Sequence, residues 1–153
     1  MSKFVHQSTR LHCNLLQAYQ MFVDEKKLEI WLCDDANIYE ENFQITIKAE
    51  NLVIDSKGSQ ITEEVKEKKL IVHWIEETKG IDSTVEINFM QCAKRTIHCV
   101  EIHLLHKELS EEMMGFYNIF WKNALDTLRY YYNNDWVIQD GDLTLTKLTG
   151  RSL

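Results

Sequence analysis

The longest regular pattern of apolar and polar positions lies towards the C-terminal end of the chain, from Ser110 to Tyr132. Ser110 suits a helix N-cap, and Glu111 and Glu112 place negative charge on the first turn, where the helix dipole favours it. Apolar side chains then recur at helical spacing and form one broad stripe: Met113, Tyr117, Phe120, Trp121, Ala124, Leu128 and Tyr131. A helix of this length, about 35 Å, needs a large apolar surface to cover the stripe.

The first third of the chain predicts one strand and two short helices. Phe4 to Cys13 alternates between apolar and polar residues, which is typical of a strand. Asn14 stands three residues before Gln17, the spacing of a capping box, and predicts the start of the first helix. Asp24 starts the second helix. The segment from Cys33 to Asn42 contains several turn-forming residues and is predicted to be a loop.

From Phe43 onwards the hydrophobic period changes to two. The alternating runs are residues 43–54, Ile61–Lys66, Leu70–Glu76, Ser83–Met90 and Thr96–Leu105. Hairpin-length gaps between successive runs predict an antiparallel meander. A strand, two short helices, a run of strands and a final long helix together predict an α+β domain. One face of the sheet and the helix stripe are both covered if the curved sheet wraps around the helix.

Four segments of the chain carry a family resemblance. Ala18 to Leu32 contains a helix, an acidic turn residue and then Leu and Trp, and three further segments follow in order: Lys68–Glu77, Ser83–Ile87 and Phe120–Leu128. These segments resemble the START-like SRPBCC superfamily, and within it the family named after the C-terminal domain of the activator of heat-shock protein 90 ATPase. The resemblance implies a helix-grip fold, a curved antiparallel sheet wrapped around a long C-terminal helix, with two short helices after the first strand.

On this resemblance, residues 1–132 form a START-like helix-grip domain and residues 133–153 form a C-terminal extension. The family includes hydrophobic-ligand carriers, chaperone-cofactor modules and some enzymes, so the fold leaves the function open. The resemblance implies a non-enzymatic domain that binds an apolar small molecule or a protein partner such as a chaperone. The alternative is a cavity enzyme of the cyclase or hydrolase type. A cavity with an ionisable group at its floor would favour ligand binding or catalysis, whereas a filled core would favour a protein-interaction module.

The candidate ligand-binding residues are large side chains that are expected to point into the space between helix and sheet. They are Trp31, Trp74, Phe89, Met113, Met114, Tyr117 and Trp121. Two interpretations stay open for them. They fill the core completely, or they line an apolar cavity that has a few polar groups.

No residue pattern predicts catalysis, a metal site or a cofactor. The chain has six histidines, but His98 and His103 fall on opposite faces of a strand, and no pair has the spacing of a closed zinc site. Cys99 lies between apolar neighbours, where a cysteine is usually buried and inert. The acidic residues that follow Trp31 are expected to be solvated. No nucleophile elbow, P-loop or dinucleotide fingerprint occurs.

Composition excludes some classes of binding partner and predicts the cellular compartment. Lys and Arg number 17 and Asp and Glu 24, giving a net charge of −7, which argues against nucleic acid and anionic membrane surfaces as partners. No signal peptide and no long apolar run is present, so a cytoplasmic protein without a membrane span is expected. The four cysteines contain no C-x-x-C pair and are expected to be reduced and mostly buried.

The extension has a turn signal of its own. Asp140 and Gly141 separate two β-like runs, and an Asp-Gly pair in that position predicts a hairpin from Trp136 to Leu148. An isolated hairpin is marginally stable in water, so this one is expected to dock. It would dock either on its own domain, as a cover, or on a second copy of the chain, as the contact of a homodimer.

Overall fold

The computed structural model describes residues 4–49, 52–92 and 99–141, with side chains as far as Tyr132. The elements in order are β1 (Phe4–Leu11), α1 (Leu15–Val23), α2 (Glu25–Trp31), β2 (Asp35–Tyr39), β3 (Asn42–Ala49), β4 (Leu52–Asp55), β5 (Gln60–Val65), β6 (Lys69–Glu76), a 3₁₀ turn (Glu77–Lys79), β7 (Ile81–Gln91), β8 (Val100–Lys107) and α3 (Glu111–Gly141).

The strands form one antiparallel sheet that curves around α3. Its strand order is β1-β8-β7-β6-β5-β3-β2, and β4 pairs with β3. The first strand therefore closes one side of the sheet by pairing with the last strand, as in Phe4 opposite Lys107 and Leu11 opposite Val100. The predicted α+β helix-grip fold is confirmed.

The core lies between the concave face of the sheet and one side of α3. Along β6 and β8 buried and half-buried residues alternate, because successive side chains of a strand point to opposite faces. Val100, Ile102 and Leu104 are fully buried, as the alternation predicts. Five residues of the predicted stripe on α3 are buried: Tyr117, Phe120, Trp121, Ala124 and Leu128. Leu125, which was not part of the predicted stripe, is buried with them, whereas Met113 is half-buried and Tyr131 is exposed.

Two N-caps place α1 and α2 as predicted. The Asn14 side chain accepts a hydrogen bond from the Gln17 amide, and the Gln17 side chain accepts one from the Asn14 amide, which completes the capping box. Asp24 caps α2 by accepting from the amides of Lys26 and Lys27. Trp31 at the end of α2 is then fixed by a hydrogen bond of 2.9 Å from its indole nitrogen to the Met21 carbonyl.

The prediction of a loop from Cys33 to Asn42 is wrong, because residues 35–39 form the edge strand β2. The turn-forming residues of this segment did not indicate a strand. The structure shows how the edge is stabilised: on β2, the Ala36 amide donates to Glu29 Oε2 at 3.1 Å and the Ile38 amide donates to Glu25 Oε2 at 2.8 Å. Two carboxylates of α2 thus supply the hydrogen-bond acceptors that a further strand would otherwise provide.

The predicted hairpin is also wrong in the part that the structure describes. The backbone of α3 stays helical through Trp136 to Gly141, where the first strand and the turn were expected. Continuing a formed helix adds one hydrogen bond for each residue that is fixed, whereas a hairpin needs a second strand before any ladder bond forms. The second half of the predicted hairpin, residues 142–148, lies outside the described residues.

The prediction of four reduced cysteines is wrong for Cys92 and Cys99, which form a disulfide. Cys92 directly follows Gln91 and Cys99 directly precedes Val100, and these two neighbours are opposite each other at the end of the β7–β8 pairing, so the hairpin brings the cysteines together. A search for C-x-x-C spacing misses a pair that strand pairing creates. Cys13 and Cys33 are buried free thiols, and burial raises the pKa of each to about 12. The cytoplasmic location stays a prediction.

Candidate functional site

The space between α3 and the sheet is filled with aromatic side chains. Tyr117, Trp74 and Trp121 are 0, 1 and 2% exposed. The Trp74 ring centroid lies 5.6 Å from that of Trp121 and 6.2 Å from that of Tyr117, both in edge-to-face geometry. For these residues the filled-core interpretation of the sequence is the one that the structure shows.

His106 organises the polar part of this core. The Trp121 indole nitrogen donates to His106 Nδ1 at 3.0 Å, so Nδ1 carries a lone pair and the proton of the neutral ring is on Nε2. Nε2 lies 2.8 Å from Ser83 Oγ, and Ser83 donates in turn to the Trp74 carbonyl at 3.1 Å. Burial lowers the pKa of His106 to about 3, so the ring is neutral at neutral pH. This chain of hydrogen bonds holds the helix to the sheet.

A buried carboxylate lies at the end of β6. Glu76 is fully buried and accepts from the Trp74 indole nitrogen at 3.1 Å. Its other oxygen is 3.0 Å from Lys79 Nζ, which also donates to the Val53 carbonyl at 2.7 Å. The ammonium group of Lys79 lies 4.8 Å from the centroid of the Phe116 ring. Glu76 is therefore paired and hydrogen-bonded, as a buried charge requires.

A cavity that opens to solvent lies elsewhere, on the side of α3 that faces α2, β3 and β4. We call it the α3 groove. It has a volume of about 340 Å³. The residues that line it are Trp31, Leu32, Ile47, Leu52, Phe116, Ile119, Phe120, Asn123, Ala124 and Thr127.

The described lining of the α3 groove contains no ionisable side chain. Its polar groups belong to Asn123 and Thr127. The Thr127 hydroxyl donates to the Asn123 carbonyl at 2.9 Å, one turn earlier in the helix. Within the described part of the chain the Asn123 side-chain amide has no hydrogen-bond partner. An apolar surface with one available amide is typical of a small-molecule site.

The predicted site residues fall into four places. Trp31 lines the α3 groove. Trp74, Tyr117 and Trp121 fill the space under the helix, while Phe89 packs against the rings of α1. Met113 and Met114 are partly buried against the core near the start of α3. As a ligand-binding set the seven residues stay a prediction, and one of them lies where the structure opens a cavity.

The sequence contained a signal for the groove that the prediction did not use. Phe116, Ile119, Asn123 and Thr127 follow one another at spacings of three or four residues, beside the main apolar stripe of α3. Ile119 is 62% exposed. A second, partly apolar face on a long helix therefore indicates a surface that the domain itself leaves open.

Neither a metal-binding cluster nor a membrane-spanning helix is present among the described residues. Residues 4–49, 52–92 and 99–141 contain no group of three or more His, Cys, Asp or Glu residues that is arranged to hold a metal ion. Within the same ranges, no helix has both the length and the apolar character that crossing a membrane requires.

Comparison with known proteins gives similarity at the level of structure. No protein-family model matches the chain, and no curated protein does. The solved structures that resemble it include CalU16 from Micromonospora echinospora, with a TM-score of 0.67 at 16% identity over 88% of this chain and 84% of that one. The Aha1 dimer from Colwellia psychrerythraea has a TM-score of 0.65 at 11% identity, over 85% of this chain and 96% of that one.

Protein MLL2253 from Mesorhizobium loti is similar along its whole length, with a TM-score of 0.66 at 12% identity over 92% of this chain and 100% of that one. At such identities the likeness shows the fold alone, and it agrees with the helix-grip fold of the chain. The function has to be argued from the groove.

Proposed function

We propose that this protein is a non-enzymatic START-like domain that binds a neutral, apolar small molecule in the α3 groove. The observation that carries the proposal is the combination of a volume of about 340 Å³ with an apolar lining. Small-molecule sites typically measure about 300–1,000 Å³ and are lined mainly by apolar and aromatic side chains. Trp31, Phe116 and Phe120 supply the aromatic surface.

The charge of the lining favours a neutral ligand. A charged group that enters an apolar groove loses its hydration and needs a counter-charge there. The described lining contains no charged side chain. Lys79, whose ammonium group lies 4.8 Å from the Phe116 ring centroid, is already paired with Glu76. The Asn123 amide can donate and accept hydrogen bonds. The ligand class is therefore an apolar or aromatic molecule with one uncharged hydrogen-bonding group.

The alternative of a cyclase or hydrolase has less support. General acid–base catalysis needs an ionisable group within hydrogen-bond reach of the substrate, and the described lining of the groove provides none. His106 faces the filled core and uses both ring nitrogens in hydrogen bonds. Glu76 lies in the same core.

A protein partner is the second candidate, and the exposed Ile119 favours it. A side chain of that size, 62% exposed at the groove, suits an apolar segment of another protein. The partner would be a chaperone, as the family resemblance implies, or a second copy of this chain, since one of the similar structures is the dimer of Aha1.

A matched pair of fluorescent probes tests the proposal. N-phenyl-1-naphthylamine is neutral, and 1-anilinonaphthalene-8-sulfonate has the same aromatic skeleton with an added negative charge. We expect saturable binding of the neutral probe and weaker binding of the anionic one. Thr127→Trp fills the groove from an exposed position and should weaken binding of the neutral probe by about tenfold or more, equivalent to about 1.4 kcal/mol.

The control adds the same side chain to the same helix outside the groove. Lys122 is exposed and does not line the groove, so Lys122→Trp should leave probe binding unchanged. Equal binding by the native protein and Thr127→Trp would refute the small-molecule proposal. Sedimentation of the native protein and of the Ile119→Asp variant would then show whether the groove is a contact between copies of the chain.

A further inference from the structure

A pair of histidines lies on the convex face of the sheet, on the side opposite α3. Residues Val5 and Leu11 of β1 and residues Ile102 and Leu104 of β8 point into the core, so His6 and His103 point outward. Their ring nitrogens, His6 Nε2 and His103 Nδ1, are 3.0 Å apart. The rings are stacked, with centroids 5.2 Å apart and an angle of 21° between their planes.

The backbone fixes this approach. β1 and β8 pair without a break from Phe4 opposite Lys107 to Leu11 opposite Val100. In that register Ser8 is directly opposite His103, which puts His6 in the diagonal position on the same face. Diagonal neighbours in an antiparallel pair are within reach of long or aromatic side chains. The two rings therefore meet without any movement of the main chain.

The distance between the two nitrogens is that of two ligands on one metal ion. Histidine nitrogens bind Zn²⁺ and similar cations at about 2.0–2.1 Å. By simple trigonometry, two such nitrogens lie about 2.9 Å apart when the angle at the metal is 90° and about 3.3 Å apart at the tetrahedral angle. The observed 3.0 Å falls between these values.

A carboxylate lies beside the second histidine, at the ring nitrogen that faces away from His6. His103 Nε2 lies 3.4 Å from Glu101 Oε1, and the other oxygen of Glu101 is 3.2 Å from Arg10 Nε. A carboxylate beside one ring nitrogen favours the proton there and leaves the lone pair on the other. The free lone pair of His103 is then on Nδ1, the atom that faces His6.

We propose that His6 Nε2 and His103 Nδ1 bind one divalent first-row transition-metal ion, with Cu²⁺ the most tightly bound. Imidazole nitrogen suits Cu²⁺, Ni²⁺ and Zn²⁺, and Cu²⁺ heads the affinity order for such ligands. Two protein ligands leave the remaining positions to water, so the ion is exchangeable and not a structural centre. The site lies on the opposite side of the sheet from the α3 groove and does not depend on the function proposed there.

The test is a titration of Cu²⁺ into the full chain, purified without a histidine tag, with calorimetry for affinity and electron paramagnetic resonance for the ligands. We expect one saturable equivalent and a superhyperfine pattern from two nitrogens. His6→Gln and His103→Gln should each weaken binding by at least about tenfold. Removing a residue that only hydrogen-bonds to a metal-binding histidine typically weakens metal binding by about tenfold or more, and removing the histidine itself should cost at least as much. Glu101→Gln should weaken binding by about tenfold, the lower end of the range for an outer partner, because the glutamine keeps an acceptor oxygen beside His103.

His73→Gln is the matched control, since His73 is another outward-facing histidine of the same sheet, paired with Asp82 at 2.6 Å. It should leave the affinity and the spectrum unchanged. Circular dichroism on every variant checks that the fold is retained. If the native protein binds Cu²⁺ no more tightly than the His6→Gln/His103→Gln double variant, the two rings share a hydrogen bond and nothing else, and the proposal is wrong.

Discussion

His106 shows how a single polar residue is accommodated in an aromatic core. The Trp121 indole and the Ser83 hydroxyl satisfy both ring nitrogens, and the ring lies 4.5 Å from that of Tyr117, centroid to centroid. Each of these hydrogen bonds contributes about 1 kcal/mol net, but leaving one of the buried groups without a partner costs about 1–3 kcal/mol. The three residues therefore depend on one another, and the helix is fixed against the sheet at this point.

The buried ring predicts a specific pH dependence of stability. In the unfolded chain His106 takes up a proton near its ordinary pKa of 6.5, whereas in the folded protein burial lowers that pKa to about 3. Between these values the unfolded state binds more protons, so the free energy of unfolding decreases as the pH falls, by up to about 1.4 kcal/mol per pH unit from this residue. At neutral pH both states are neutral and the contribution is complete.

Replacing His106 removes its contribution to the pH dependence of the free energy of unfolding. Urea unfolding of native protein and of His106→Gln, repeated from about pH 7 to about pH 4, should show a shallower loss of stability in the variant, because the variant lacks the group whose protonation differs between the two states. All other titratable groups are common to both proteins and cancel in the difference. Parallel curves would mean that His106 is protonated in the folded state as well.

At the scale of elements, the sequence predicted the helices and strands whose pattern of apolar and polar residues lies within one segment of the chain. The strong apolar period of α3, the Asn14 and Asp24 caps and the alternation of β6 to β8 all lie within one segment each, and the structure confirms them. β2 was missed because its segment is rich in turn-forming residues and because two of its amides bond to Glu25 and Glu29 of the preceding helix and not to a further strand. The disulfide and the His6–His103 pair were missed for a different reason, since strand pairing creates both.

The carboxylates of α2 are expected to hold the edge strand in place. A hydrogen bond to a charged group contributes about 1.5–3 kcal/mol when it is well formed, and less at an exposed edge such as this. In a Glu25→Ala/Glu29→Ala double variant the Ala36 and Ile38 amides lose their acceptors. We expect their hydrogen exchange to accelerate, together with fraying of β2.

The control lies in the same region. The Lys48 amide of β3 donates to Asp34 at 2.7 Å and does not contact either glutamate, so its exchange should stay slow in the double variant. A Glu25→Gln/Glu29→Gln variant keeps an acceptor oxygen at each position and should show partial protection. Unchanged exchange at Ala36 and Ile38 in the alanine variant would show that the strand holds without the helix.

At the scale of the whole molecule, the helix-grip fold gives α3 two separate surfaces. One side packs on the sheet through Trp121 and Leu128, and the adjacent side forms the α3 groove through Ile119 and Thr127. Predicting the groove from the sequence would have required the distance between α3 and the β3–β4 pair, which no local pattern contains. The residues that fill the core were predictable from their period, and this is why most of the proposed site residues turned out to lie there.

The boundary at residue 132 can be tested on the whole molecule. The described side chains of α3 that pack on the core end with Leu128 and the half-buried Tyr132. A chain that ends at Tyr132 should therefore unfold cooperatively, with a free energy within about 2 kcal/mol of the full chain, a small part of the roughly 5–15 kcal/mol typical of a domain. It should also bind the neutral probe, because Thr127 and the rest of the groove lining precede the truncation.

A chain that ends at Phe120 is the contrasting variant. It lacks Trp121, Leu125 and Leu128, which are almost completely buried, and with Ala124 these are four of the six described residues of α3 that are buried. We expect it not to fold, because burying each such side chain contributes about 1.5–3 kcal/mol. Sedimentation of the full chain and of the chain ending at Tyr132 completes the experiment: a dimer present in the first and absent in the second would assign the contact to residues 133–153. Loss of cooperative unfolding on truncation at Tyr132 would instead make those residues part of the domain, and the boundary would have to move towards the C-terminus.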